Sequence, residues 1–207
     1  MVTDAFHRCH GFTPREWQLH ICSYLLKCAC RPPSPNPQPI LIVRTTAGGK
    51  SAVRNAVGLC TAGVTITVVP LLSLSADQAT KLQQLKDSDT SVRVYNLDAI
   101  RNFRANQRIR QQLLSLDDDT SLSIFLFCSP QKITKDPMWS LAIEQLVARG
   151  IVCLVAVDEC HLFANFGIEF CAECYHLKEH LFSKLHLAPI NIPIVFYDSY
   201  RYFLYGR

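Results

Sequence analysis

A lysine and a serine that follow a run of small residues form the first set in this sequence that could do chemistry. Residues 45–51 (TTAGGKS) lie between an apolar run, residues 40–43, and a stretch that predicts a helix from Lys50 onward. Small residues let the backbone curl so that successive N–H groups face one point, and the helix adds the positive end of its dipole. Lys50 could reach the outer phosphates of a nucleotide, and the Ser51 hydroxyl could hold Mg²⁺. The segment therefore predicts a phosphate-binding loop.

Two consecutive carboxylates end the most apolar stretch of the chain. Asp158 and Glu159 follow residues 151–157 (IVCLVAV), which predict a central strand. A buried strand that delivers two acids at its carboxyl end is the pattern by which phosphate-loop ATPases hold Mg²⁺ and activate water. Asp158 would hold the metal together with Ser51, and Glu159 would polarise the attacking water. The alternative is a turn with acidic caps, and the phosphate loop upstream on the same chain disfavours it.

Strand-like and helix-like segments alternate along the chain, and they predict the elements that position these residues. Predicted strands cover residues 40–43, 64–69, 92–95, 123–127, 151–157 and 194–197. Predicted helices cover residues 17–28, 72–86, 100–116, 138–148 and 173–184, besides the helix that starts at Lys50. Strands this apolar must be covered on both faces, so we predict an α/β fold with a mostly parallel sheet and helices on both faces.

Size and composition indicate one globular domain. The chain has 207 residues, of which 49% are hydrophobic and 18% charged, enough for one buried core. Residues 31–39 (RPPSPNPQP) predict a proline-rich loop between an N-terminal helical segment, residues 1–30, and the main domain, residues 40–207. The net charge of +4 permits a polyanionic partner. Since no apolar run reaches bilayer length and the N-terminus lacks a signal pattern, we predict an intracellular protein without membrane contact.

Two further clusters have both a functional and a structural interpretation. Cys171 and Cys174 are followed by His176 and His180, which is ligand chemistry for zinc. The two pairs are almost contiguous, so we favour reduced structural thiols over a metal site. Four arginines lie in one polar stretch and predict a solvated helix face: Arg101, Arg104, Arg108 and Arg110.

Several strings of the chain resemble the RecQ branch of the superfamily 2 DEAD/DEAH-box helicases. Residues 158–161 (DECH) resemble the DExH box, in which His161 would couple the nucleotide site to the nucleic acid. Residues 15–18 (REWQ) resemble the adenine-recognition motif, in which Gln18 would read the adenine edge and Arg15 would lie near the base. Residues 46–51 (TAGGKS) resemble the phosphate loop TGGGKS. The residues that this resemblance implies for ATP are Arg15, Gln18, Thr46, Ala47, Gly48, Gly49, Lys50 and Ser51.

Three other strings resemble the nucleic-acid contacts of the same family. Residues 69–78 (VPLLSLSADQ) resemble motif Ia, and residues 128–132 (CSPQK) resemble a later motif that contacts the backbone. Residues 165–170 (NFGIEF) fall where RecQ enzymes carry an aromatic-rich loop that senses single-stranded DNA, and aromatic rings can stack on bases. The residues that this resemblance implies for nucleic acid are Pro70, Leu71, Ser73, Asp77, Gln78, Ser129, Pro130, Phe166 and Phe170.

The resemblance implies the first RecA-like P-loop NTPase lobe of an ATP-dependent DNA helicase of 3′–5′ polarity. Lys50, Asp158, Glu159 and His161 would be catalytic, with ATP and Mg²⁺ as cofactors and a nuclear location. The partner would be single-stranded or partly duplex nucleic acid, with DNA favoured, and the second lobe with its arginine finger is expected outside this chain. A diverged, non-catalytic binding module is the alternative. A small-molecule kinase is disfavoured by motif Ia and the DExH box.

Departures from the family pattern fall in the same motifs. Ala47 replaces a glycine, and a positive φ there would strain the loop by about 1 kcal/mol or more. Ile168 and Cys171 stand where the aromatic loop usually carries basic residues, and residues 197–200 (YDSY) replace a Ser/Thr-Ala-Thr motif. These changes weaken the predicted link between nucleic acid and nucleotide.

Overall fold

Six parallel strands form one sheet in a computed structural model of the chain. The structure describes residues 1–32, 38–45, 47–70, 72–88, 91–117, 120–161 and 176–198. For residues 72–74 and 85–88 it describes the backbone alone. The strands are β1 (Ile40–Val43), β2 (Gly63–Val68), β3 (Val92–Asn96), β4 (Ser123–Cys128), β5 (Val152–Val157) and β6 (Ile194–Asp198). Their order is β1-β6-β5-β2-β4-β3, so the predicted α/β fold with a parallel sheet is confirmed.

Helices cover both faces of this sheet. They are α1 (Val2–His10), α2 (Glu16–Ala29), α3 (Lys50–Cys60), α4 (Leu72–Ser88), α5 (Phe103–Leu114), α6 (Pro130–Thr134) and α7 (Pro137–Ala148). Every residue of β2, β4 and β5 is buried, as expected for parallel strands covered on both sides. One core joins the sheet to α5, α7 and a 3₁₀ helix, Phe182–Leu187, while α1 to α4 pack on the opposite face.

Side-chain hydrogen bonds cap the N-termini of three helices. Asn102, Ser129 and Asp136 accept backbone N–H bonds at the start of α5, α6 and α7, which satisfies donors that have no partner within the helix. The predicted helix at residues 173–184 is only partly described. Residues 176–180 are helical, and the chain then tightens into the 3₁₀ helix. Among the described residues, each helix is too short or too polar to cross a bilayer.

The carboxyl ends of the parallel strands share one edge of the sheet, and backbone bonds join the loops that leave it. Arg44 N donates to Asp198 O at 3.1 Å, linking the loop after β1 to the end of β6. Cys160 N donates to Tyr197 O at 3.0 Å, and Asp158 N donates to Val68 O at 3.0 Å. The residues predicted to do chemistry after β1 and β5 therefore meet at this edge, where open α/β sheets bind ligands.

Candidate nucleotide and nucleic-acid site

The predicted phosphate loop turns tightly at Gly48 and Gly49, just before α3, and both positions favour glycine. Gly48 N donates to Thr45 O at 2.9 Å, and a Cβ on Gly48 would lie 2.8 Å from that same oxygen. Gly49 caps α3 with φ 85°, and a Cβ there would meet Gln18 Nε2 at 2.6 Å. The turn leads directly into the first turn of α3, where the helix dipole favours a phosphate.

Ala47 stands where the family usually has glycine, and its backbone is left-handed. Its φ is 62°, in the left-handed region that costs an L-residue about 1–2 kcal/mol. The condition of the expectation, a positive φ at residue 47, is therefore met, and the strain itself stays a prediction.

Lys50 lies inside the curl of the loop. Its side chain is buried, with 9% of the residue exposed, and its ammonium donates to Arg44 O at 2.8 Å and to Thr45 O at 3.2 Å. These carbonyl oxygens hold the cation beside the N-terminus of α3. An ammonium in this place can exchange carbonyl acceptors for phosphate oxygens.

Asp158 and Glu159 stand at the end of β5 as predicted, and each has a distinct environment. Asp158 is 5% exposed; its Oδ1 accepts Glu159 N at 3.0 Å and its Oδ2 accepts Gln78 Nε2 at 2.7 Å. Glu159 has φ 49°. Burial raises the pKa of Glu159, and the charge of Asp158 raises this pKa further. A carboxyl with a raised pKa is a better base for water than an ordinary one.

His161 is held between two carboxylates. Its Nδ1 lies 2.9 Å from Asp198 Oδ1 and 3.3 Å from Glu159 Oε2, with the residue 7% exposed and Asp198 1% exposed. Cys160 Sγ donates to Asp198 Oδ2 at 3.3 Å, and burial raises the pKa of this thiol to about 12. Asp198 comes from the segment that replaces the expected Ser/Thr-Ala-Thr motif, and its role here was missed by the sequence analysis.

Oxygen ligands suited to Mg²⁺ come from the predicted pair. The Ser51 hydroxyl and the Asp158 carboxylate are hard donors. Each Asp158 oxygen accepts a hydrogen bond, of 3.0 and 2.7 Å, and retains a second lone pair. The donor set therefore fits Mg²⁺. A second group with ligand-type atoms within 4.8 Å of one another is Glu159, His161 and Asp198, and hydrogen bonding around His161 accounts for that closeness.

Gln18 ties the adenine-motif helix to the phosphate loop. Its Oε1 accepts Arg15 N at 2.8 Å, its Nε2 donates to Gly49 O at 3.0 Å, and 1% of the residue is exposed. Arg15 is exposed, and the Arg44 guanidinium lies 4.9 Å from the centre of the Trp17 ring. The predicted adenine reader is thus engaged by backbone groups of the protein itself.

The residues predicted to contact nucleic acid divide into surface and interior positions. Asp77 is exposed and Pro70 half-buried at the sheet edge, while Pro130 is buried where α6 begins. Ser129 is 4% exposed; its N–H and hydroxyl donate to Asp98 at 2.5 and 2.7 Å. Gln78 points to Asp158, as above. Ser129 and Gln78 are therefore engaged by acidic side chains of the same lobe.

Several predicted positions lie outside the described residues. They are Thr46, Leu71, the side chain of Ser73, Phe166, Ile168, Phe170, Cys171, Cys174 and residues 199–200. Of the cysteine and histidine cluster, for which structural thiols were favoured over a metal site, the described part is His176, which is exposed, and His180, which is half-buried.

Comparisons with known proteins agree with this geometry. No family model matches the chain. It is 30% identical over 131 residues to "ATP-dependent DNA helicase Q1" of Rattus norvegicus. The aligned region covers 63% of this chain and 20% of that protein. It is 29% identical over 135 residues to "ATP-dependent DNA helicase RecQ" of Haemophilus influenzae, covering 65% and 19% respectively. The chain thus spans about one fifth of the length of these curated relatives.

Solved structures share the fold at low sequence identity. The helicase MrfA matches with a TM-score of 0.63 at 15% identity, over 96% of this chain and 28% of that one. The phage helicase UvsW matches with a TM-score of 0.53 at 14% identity, over 92% and 54%. The class that the fold defines is the RecA-like α/β domain, which the chain shares with these helicases. Within that class the chain is similar to the N-terminal lobe of RecQ-like DNA helicases, so the resemblance drawn from its motifs is confirmed.

Proposed function

We propose that this chain is the ATP- and nucleic-acid-binding lobe of an ATP-dependent DNA helicase. The observation that carries the proposal is the meeting of Lys50, Asp158 and Glu159 at one sheet edge. The phosphate loop places Lys50 at the start of α3, and β5 delivers both carboxylates at the same edge. This combination suits a nucleoside triphosphate with its metal.

Within this proposal each side chain has a task at a stated atom. Lys50 Nζ neutralises the outer phosphates, and Ser51 and Asp158 hold Mg²⁺, which supplies charge neutralisation when bound. Glu159, whose pKa burial raises, accepts the proton of the attacking water. The adenine lies against the N-terminal end of α2, near Arg15 and Trp17, while Gln18 keeps that helix and the loop in register.

Nucleic acid is proposed to run along the same edge, past the segment after β2 and the start of α6. Contacts there are mainly to phosphates, so affinity is expected to fall with salt and to depend little on sequence. DNA is the favoured nucleic acid because the curated relatives are named DNA helicases. We also propose an intracellular, nuclear location for a protein that acts on DNA. The second lobe with its arginine is proposed to lie outside these residues.

Nucleotide binding tests the proposal through Lys50→Ala. We expect ATP–Mg²⁺ to raise the melting temperature of the wild-type chain, because a ligand that binds only the native state stabilises it. The increase should vanish in Lys50→Ala and persist in Lys178→Ala, which removes an exposed lysine from the helical residues 176–180. Equal stabilisation of all three proteins would contradict the assignment of the phosphate loop.

A non-catalytic binding module is the second candidate, and the environment of His161 favours it. In the helicase interpretation this histidine couples nucleotide and nucleic acid. Here its Nδ1 forms a hydrogen bond with Asp198 and lies 3.3 Å from Glu159 Oε2 within the lobe, and Asp198 itself replaces a residue of the expected motif. ATP turnover in the complete protein, with and without single-stranded DNA, separates the two candidates.

A further inference from the structure

A buried arginine lies beside the proposed nucleotide site. Arg54, on α3, is 1% exposed, and its guanidinium stacks 5.0 Å from the centre of the Phe127 ring. Its Nε and Nη2 donate to Asn55 Oδ1 at 3.0 and 2.8 Å, and its Nη1 donates to Gln78 Oε1 at 2.8 Å. A buried cation requires such acceptors, because an unpaired charge in the interior is costly.

Gln78 also forms a hydrogen bond with Asp158, the predicted metal ligand. Its Nε2 donates to Asp158 Oδ2 at 2.7 Å. The orientation of the amide follows from chemistry, since a guanidinium can only donate and an ionised carboxylate can only accept. Arg54, Gln78 and Asp158 therefore form one continuous hydrogen-bonded chain from the core to the sheet edge.

The position of Gln78 connects two sites. It lies on α4, which begins at Leu72 immediately after the segment proposed to contact the nucleic-acid backbone. Six residues of helix span about 9 Å, and the start of α4 and Gln78 belong to the same 17-residue helix. A shift of the N-terminal end of α4 must therefore move the Gln78 amide relative to Asp158.

We propose that Gln78 is a positioning residue that orients the Asp158 carboxylate for Mg²⁺ and couples nucleic-acid contact at α4 to nucleotide affinity. This inference rests on the proposed function. It reassigns Gln78 from the nucleic-acid surface, where motif resemblance placed it, to the metal site. Nucleic acid that holds the start of α4 keeps the Gln78–Asp158 bond formed, so it tightens Mg²⁺–nucleotide binding. By linkage, the nucleotide must tighten nucleic-acid binding by the same factor.

The test compares Gln78→Met with Thr80→Ala. Methionine preserves the volume and removes both hydrogen bonds. Thr80 is exposed on the same helix, and its hydroxyl bonds Ala76 O. A fluorescent, non-hydrolysable ATP analogue is titrated with and without Mg²⁺, and with and without single-stranded oligothymidylate. In the wild type and Thr80→Ala, we expect the oligonucleotide to tighten the Mg²⁺-bound analogue several-fold, within the usual range of coupling.

In Gln78→Met, affinity in the presence of Mg²⁺ should fall about 10-fold or more, as for other partners of metal ligands, and the effect of the oligonucleotide should disappear. The affinity for the analogue without Mg²⁺ should stay unchanged in this variant. A general loss of structure would lower that affinity as well, so this measurement separates the two explanations. If Arg54 without its acceptor prevents folding, the double variant Arg54→Met, Gln78→Met is measured instead. Wild-type Mg²⁺ dependence and coupling in the variant would overturn this inference alone. Failure of the wild-type chain to bind the analogue would overturn the proposed function and this inference with it.

Discussion

Left-handed backbone at two residues other than glycine marks the nucleotide site at the scale of single residues. Among the described residues these are Ala47, with φ 62°, and Glu159, with φ 49°. Each lies in a motif proposed to act on ATP, Ala47 in the phosphate loop and Glu159 at the end of β5. Strain of this kind persists only where the surrounding structure imposes it and is concentrated at functional sites. The site is therefore held by its neighbours, including the Gln18 and Asp198 contacts.

Relief of strain at Ala47 gives a prediction with a defined sign. Ala47→Gly should raise the free energy of unfolding by about 1 kcal/mol, because glycine adopts positive φ without a Cβ clash. Urea denaturation measures this change. The matched control is Ala76→Gly at an exposed position of α4, where the same substitution should lower stability by about 1 kcal/mol. A loss of stability in both variants would show that the loop does not need glycine geometry.

Partial burial of His10 gives a prediction about pH. Burial, together with the charges of Arg54 and Lys81, lowers the pKa of His10 from 6.5 to about 4, and burial is the largest cause. The native state therefore resists protonation that the unfolded chain accepts, so this stabilisation is complete above pH 6.5 and is lost as pH falls toward 4. After allowance for solvent screening, the loss is on the order of 1 kcal/mol.

Removal of the imidazole should flatten that profile. His10→Gln should lose less stability than the wild type between pH 6.5 and pH 4 in urea denaturation. His20→Gln, at an exposed position on α2, serves as the control and should follow the wild-type profile. An unchanged slope in His10→Gln would contradict the burial argument.

At the scale of elements, Gln18 joins α2 to the phosphate loop. Its substitution distinguishes two roles for this residue, positioning of the loop and reading of the adenine edge. Gln18→Leu leaves Arg15 N and Gly49 O without their partner, which should cost about 1–3 kcal/mol of stability. If Gln18 positions the loop, ATP and GTP should lose affinity by the same factor, whereas reading of the adenine edge predicts a selective loss of ATP. We expect equal losses, with His20→Ala as the unaffected control. A collapse of ATP preference alone would restore the adenine-reading role.

Elements with a strong local pattern were predictable from the sequence, and those defined by tertiary contacts were not. The strand at Ile40–Val43 and the ends of β4 and β5 follow from apolar runs. Within the predicted helical segment, residues 1–30, α1 was not predicted as a separate helix, because it is short and polar and buries only Ala5 and Phe6. Helix α6 has five residues, too few for a periodic pattern.

At the site as well, contacts between residues far apart in the sequence could not be predicted from the sequence. Motif spacing predicted Lys50, Asp158 and Glu159, because each follows a recognisable strand. The partner of His161 is Asp198, 37 residues away, in a segment that the motif comparison treated as a departure. Likewise, Gln78 and Asp158 are 80 residues apart, so only the fold shows that a motif Ia residue bonds the metal ligand.

At the scale of the whole molecule, we propose that the described chain supplies one side of a nucleotide site. Lys50, Asp158 and Glu159 converge on one edge of the sheet, and the curated relatives are about five times as long as the part they share with this chain. In phosphoryl transfer, charge on the transition state is also stabilised by an arginine finger, which is worth roughly 10³- to 10⁵-fold in rate. We expect that group to come from a second lobe.

Steady-state ATP turnover by the purified chain, measured with and without single-stranded DNA, tests this account most directly. The account predicts that the chain binds ATP–Mg²⁺ yet releases phosphate very slowly, and that DNA fails to raise the rate to that of a working helicase. Turnover stimulated by DNA to the order of 1–10² s⁻¹, without a partner and abolished by Glu159→Gln, would contradict it.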